Sequence, residues 1–204
     1  MKRTFFSLAL LLAVATLTAQ TKMTAREAAV KIADRILAST TYEFKNTKTG
    51  EIYKSVKKLP LDMDVKVACK YNNWHYTNGV TNMALMELGD KLGDKKYEKY
   101  VLKNMNFVFN EGNLDFFRKQ YDEAFKRDGW NAVRKLSWHM IFRGKRLDDN
   151  GPMGASLIEL QLKYPNDSFL GYINETAEHL NYGEPRLVDG TIARIWPHVN
   201  TIWA

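Results

Sequence analysis

From Met23 onward, apolar residues recur every three or four positions in long stretches, separated by short connections rich in Gly, Asn and Asp. That spacing is the mark of amphipathic helices. "TAREAAVKIADRILAS" carries Ala28, Ile32, Ile36 and Leu37 on one stripe, and Thr24 with Glu27 fits a capping box at its start. Thr41 to Ser55 differs, with two short aromatic and β-branched runs around "NTKTG", the pattern of a small hairpin. "TNGVTNMALMELGDKLG" resumes the helical period through Val80, Ala84, Leu85, Leu88 and Leu92. Gly93 closes that helix, and Asp94 can cap the next. "KKYEKYVLKNMNFVFN" and "NLDFFRKQYDEAFKRDG" predict two more helices. "GPMGASLIELQLKYP" predicts another, opened by Pro152 and stopped by Pro165. Asp167 or Ser168 then caps "FLGYINETAEHLNYG", which ends at Gly183.

The expected fold is therefore all-α. Short links make sequence neighbours antiparallel, and no stretch reads as a central strand. No Gly-rich phosphate loop is present, and the period fits no standard helical repeat. Three connections are loaded with aromatic and polar groups: "YNNWHYTNG", "GKRLDDNGPMG" and "GTIARIWPHVNTIW". In an alternating series of helices, such loops can gather at one end and line a cleft.

The amino terminus changes the picture. Lys2 and Arg3 precede an almost unbroken apolar run from Phe5 to Leu17, and Ala19 offers a small residue at a cut site. This reads as a secretory signal peptide over residues 1–19, too short for a membrane span. The expected product is secreted or periplasmic, without a membrane anchor, and a single domain over 20–204. The formal charge is +7, of which Lys2 and Arg3 supply two. The remaining lysines are interspersed with acids, as on an ordinary solvated face. A basic exported protein points to an acidic saccharide rather than to nucleic acid. Cys69 is the single cysteine, so no internal disulfide can form and a small buried hydrophobe is expected.

Each polar block has a plain structural reading beside a chemical one. Asp148 and Asp149 precede the predicted helix, where Asp, Asn and Gly commonly cap. There a carboxylate could also bind sugar hydroxyls or move a proton. Trp74, His75, Tyr76 and Asn78 fit a helix entry with core aromatics, or flat faces and donors for a pyranose. Arg194, Trp196, His198, Asn200 and Trp203 fit a structural loop or sheet-like segment, or a wall in which Arg194 meets a carboxylate. The four histidines lie far apart with no metal-ligand spacing, no GxSxG turn supports a serine nucleophile, and "NET" at Asn174 matches a glycosylation acceptor.

"WHYTNG", "LDDNGPMGASL" and "RIWPHVNTIWA" occur in this order over Trp74 to Ala204. In that order they resemble the unsaturated glycuronyl hydrolases of glycoside hydrolase families 88 and 105, and most closely the rhamnogalacturonyl type. The resemblance implies an (α/α)6 barrel of the six-hairpin glycosidase type, of which this chain would supply about the first half. It implies hydration of the C4=C5 double bond of an unsaturated uronic acid at the end of an oligosaccharide, with no metal or organic cofactor. Asp148 matches the aspartate of the family's "LDxxG" block. Trp74 and Tyr76 match the first aromatic motif. His198 and Trp203 lie in the approach to the second aspartate, with Arg194 in the same block. The family's acid/base follows "TxW", so the sequence reads as a piece stopping just short of it and inactive as it stands. The hairpin near Asn46 departs from the family pattern. Two other expectations stand beside this one: a glucuronyl hydrolase acting on glycosaminoglycan disaccharides, and a non-catalytic carbohydrate-binding helical protein.

Overall fold

A computed structural model describes residues 23–143, 147–196 and 199–202. The signal segment expected over residues 1–19 lies outside these, as do His198 and Trp203. Seven α-helices dominate the described residues: α1 (Ala25–Ser39), α2 (Tyr76–Leu92), α3 (Lys96–Val108), α4 (Glu111–Val133), α5 (His139–Arg143), α6 (Leu147–Lys163) and α7 (Asp167–Glu178). Between α1 and α2 runs a small antiparallel sheet in the order β2-β1-β3, from β1 (Phe44–Asn46), β2 (Ile52–Tyr53) and β3 (Val65–Val67). A carboxy-terminal hairpin, β4 (Ala193–Trp196) with β5 (Val199–Ile202), pairs Arg194 with Thr201. The all-α expectation holds at this level, with the sheet as a minor addition.

Local chemistry explains most boundaries. The Thr24–Glu27 capping box forms at the start of α1, each partner accepting the other's backbone N–H. Gly93 ends α2 at φ 67°, a left-handed conformation that glycine takes without steric cost. Asp94 accepts from the N–H of Lys96. Several boundaries differ from the sequence expectation: Lys95, not Asp94, is the N-cap of α3, and α7 ends at Glu178, giving way to a π-helical stretch over His179–Gly183. Asn166, not Asp167 or Ser168, caps α7 by accepting from the N–H of Ser168. Helix α6 begins at Leu147, so Asp148 lies in its first turn and Pro152 lies inside it. Proline disfavours helix in the residue before it through contact with that residue's Cβ, and Gly151 has none. The strain that normally stops a helix at X-Pro is thereby reduced.

The main core runs from the sheet through the helices. Phe44 of β1 stacks on Phe107 and meets Phe117, which packs 4.7 Å from Trp138. Trp138 is fully buried, and its indole N–H donates to the carbonyl of Asn72. Gln120 of α4, also fully buried, donates to the carbonyls of Asp62 and Val65 and ties the sheet to the helices. A buried carboxylate, Glu98 of α3, accepts from Lys163 of α6 at 2.6 Å and from the Tyr164 hydroxyl. Those two hydrogen bonds hold its carboxyl below the usual range.

Helix α4 is broken near its end. Asp128 and Gly129 leave helical geometry (Gly129 at φ 50°, ψ −134°), and a satellite core of Ala124, Ala132, Val133 and Leu136 forms around the break. The stripe of α1 is not fully covered. Ile32, expected to be buried, is 62% exposed, and with Val80 of α2 it flanks an apolar groove of about 510 Å³.

Candidate functional site

Two of the three polar blocks meet. Helices α2 and α6 pack so closely that Gly79 lies against the backbone of Pro152 and Met153. A Cβ on residue 79 would stand 2.5 Å from the Met153 nitrogen and 2.7 Å from the Pro152 oxygen. Glycine at 79 is thus a condition of the contact that brings "WHYTNG" against "DDNGPMG".

Just before α2, Trp74 is 1% exposed. Its indole N–H donates to Oδ1 of Asn150, 3.1 Å away. The Tyr172 hydroxyl of α7 donates to the same oxygen at 2.9 Å. The rings of Trp74 and Tyr172 meet edge to face at 5.0 Å, with Phe109 packed edge-on against both. Burial pushes the Tyr172 phenol well above its ordinary pKa, so it stays a donor. One asparagine oxygen therefore anchors α7 and the chain before α2 to the first turn of α6.

Trp74, read from sequence as a flat sugar platform, instead spends its ring on the core and its N–H on Asn150. Tyr76 is the exposed member of that block, at 45%, with its ring 4.5 Å from that of His75. His75 caps α2 by accepting from the N–H of Thr77. Asn78 is buried and donates to the carbonyls of Lys70 and Asn73.

Asp148 sits two residues before Asn150, half-buried, with Oδ1 enclosed and no hydrogen-bond partner among the described residues. A buried carboxylate oxygen without a donor is unfavourable, and a donor brought to it relieves the cost. Tyr172, the partner of Asn150, walls two adjoining hollows of about 200 and 260 Å³ that share Ile141, Phe142 and Glu175; Asp148 lines neither. Arg143, Thr176 and His179 line the first and Arg118 the second. Arg118 lies over the Phe142 ring and Arg143 over that of Trp130. The two hollows thus combine an apolar floor with cations, hydroxyls and the Glu175 carboxylate, a mixed lining of the kind that meets sugar hydroxyls.

The third block is a β-hairpin in its backbone. The side chain of Arg194, like His198 and Trp203, lies outside the described residues. Asn150 and Tyr172 were missed as site residues. The signal for Tyr172 was its place on the apolar face of α7, three positions after Phe169; Asn150 was hidden inside what read as turn chemistry. Among the described residues, no group of three His, Cys, Asp or Glu side chains is arranged to hold a metal ion. Nor is any helix among them long and apolar enough to cross a membrane. Comparison with protein families and with curated proteins returns no match.

Proposed function

We propose that this chain is part of an exported unsaturated glycuronyl hydrolase, most closely of the rhamnogalacturonan type, built as an (α/α)6 ring that works without a cofactor. The observation that carries the reading is the Asn150 junction. It ties the first aromatic motif to the turn holding Asp148, whose Oδ1 is enclosed and has no partner among the described residues, and its other donor, Tyr172, walls two hollows. Two of the three motifs of the resemblance, remote in sequence, thus lie against one another.

The reaction adds water across a vinyl ether. An acid delivers a proton to C4, and water adds at C5 after losing a proton to the resulting base. The hemiketal so formed opens and releases the neighbouring sugar. In this reading the acid/base belongs with the block at Thr201 to Trp203. Asp148 stands across the sugar as the second carboxylate, accepting a hydroxyl hydrogen bond and favouring the cationic character that develops at C5. Tyr76, Arg194, His198 and Trp203 contact the acidic oligosaccharide, and Trp74 positions the Asp148 turn through Asn150.

The test is loss of the double-bond absorbance in the far ultraviolet when the full-length gene product meets an unsaturated rhamnogalacturonan disaccharide. Asp148→Asn is expected to lower turnover by about a hundredfold or more. Absence of decay on every unsaturated disaccharide, glycosaminoglycan-derived ones included, would end the proposal. Faster decay on the latter would move the substrate to glycosaminoglycans.

A further inference from the structure

A second groove, which shares no lining residue with the Tyr172 hollows, lies where the small sheet meets the α3–α4 corner. Its volume is about 650 Å³. Lys54 and Lys57 stand on one side, both exposed. Asn106, Asn110 and Asn113 stand on the other, at the end of α3 and the start of α4. Tyr42 and Phe107 form the apolar part, their rings 5.4 Å apart and edge to face. Lys103 adds a third cation, its Nζ 4.1 Å from the centre of the Tyr42 ring.

Among the described residues that line the groove, the charge is one-sided. No carboxylate is among the described lining residues, and neither Lys54 nor Lys57 has an ion-pair partner among the described residues. The segment from Glu43 to Lys58 holds five lysines against two glutamates. The field in the groove therefore favours an anion.

The amides add a further constraint. Each asparagine side chain offers a donor and an acceptor, the combination that pairs with sugar hydroxyls. Two of the three are already partly used: Asn110 caps α4 and Asn113 donates to the Phe107 carbonyl. Both are thereby held in place at the groove wall. Lysines for carboxylates, amides for hydroxyls and a volume within the range of small-molecule sites point to one ligand class.

We propose that this groove is a second binding site, distinct from the Asp148 turn, for uronate-bearing oligosaccharides. It retains the acidic polysaccharide fragment without taking part in its chemistry. The choice of saccharide over other anions rests on the function proposed above; the anion preference itself rests on the groove.

The probe is saturated trigalacturonate, which has no double bond and cannot be turned over, titrated calorimetrically into the full chain. Galactotriose is the neutral comparison. Lys54→Gln with Lys57→Gln is expected to weaken trigalacturonate binding at least about fivefold, and added salt is expected to weaken it further. Both lysines are exposed, so the double variant keeps its fold, which its circular dichroism checks. Asp148→Asn is expected to leave the part of this binding that depends on Lys54 and Lys57 unchanged. Equal binding of galactotriose, or undiminished binding by the double lysine variant, would overturn the assignment. So would loss of the lysine-dependent binding on Asp148→Asn, or equally tight binding of a short single-stranded DNA of matched charge. Turnover of unsaturated disaccharides without trigalacturonate binding would sink this site alone. Binding without turnover would sink the enzymatic reading and leave the groove standing.

Discussion

Replacing Gly79 by alanine adds one methyl group where two helix backbones touch. The new carbon would stand 2.5 Å from the Met153 nitrogen and 2.7 Å from the Pro152 oxygen, and nearer still to the Pro152 carbonyl carbon. Comfortable contacts of this kind need roughly 3.5 Å, so the helices must part by about 1 Å. The obstructing atoms are backbone, so no rotamer change relieves the overlap. Overpacking of this sort costs about 1–3 kcal/mol. Parting α2 from α6 also stretches the 3.1 Å bond from Trp74 to Asn150, worth about 1 kcal/mol. Against this, alanine is favoured over glycine within a helix by about 1 kcal/mol. The balance is a loss of about 1–3 kcal/mol. With a urea dependence of about 1–3 kcal/mol per molar, the unfolding midpoint falls by roughly 1 M. Tryptophan emission should shift as Trp74 becomes wet. The matched control is Gly171→Ala in α7, where a Cβ meets nothing within 4 Å. That change should raise the midpoint by the helix term alone. Gly79→Ala with a midpoint at or above the parent's, and unchanged emission, would refute the close-contact argument.

Asn150→Ala removes the shared acceptor of Trp74 and Tyr172, orphaning the buried indole N–H and loosening the half-buried phenol, which should cost about 1–3 kcal/mol by urea titration. Asn150→Asp, which keeps an acceptor oxygen, should recover part of it. Glu98 gives a pH signature. Its folded carboxyl lies below its ordinary value of 4.5, so its contribution is complete above that value and is lost as pH falls through the depressed one. Unfolding midpoints between pH 3 and 7 should show this acid limb, and Glu98→Gln should flatten it. Thr24→Ala should cost about 1 kcal/mol through loss of the capping box, read from the far-ultraviolet melting of α1.

Much of the helical frame was legible because its signals are local. The Thr24–Glu27 box, the left-handed Gly93 and the period of α2 and α3 are each set by residues within one or two turns. What was not legible depends on distant partners. Pro152 reads as a helix opener because proline usually is one; Gly151 before it lets α6 start at Leu147. Trp74 reads as a sugar platform because indole suits either role, and only the positions of Asn150 and Phe109 decide that it faces inward. Ile32 sits on a helical stripe that ordinarily predicts burial, yet the second wall of its groove is Val80, itself 55% exposed. The meeting of "WHYTNG" with "LDDNG" was anticipated from loop alternation. The means, one shared amide oxygen and one missing Cβ, leave no trace in local pattern.

The break at Asp128 and Gly129 also divides α4 energetically. Helix growth is cooperative because each turn is templated by the one before it, and that templating stops where the backbone leaves helical space. The last stretch, with Trp130, is secured by a satellite core that reaches back across the break only to Tyr121, Ala124 and Phe125 at the end of the long arm. Thermal fraying that starts there meets a firebreak: it can consume the satellite while Phe117 and Gln120 stay shut, so amide exchange along this single helix should fall into two tiers.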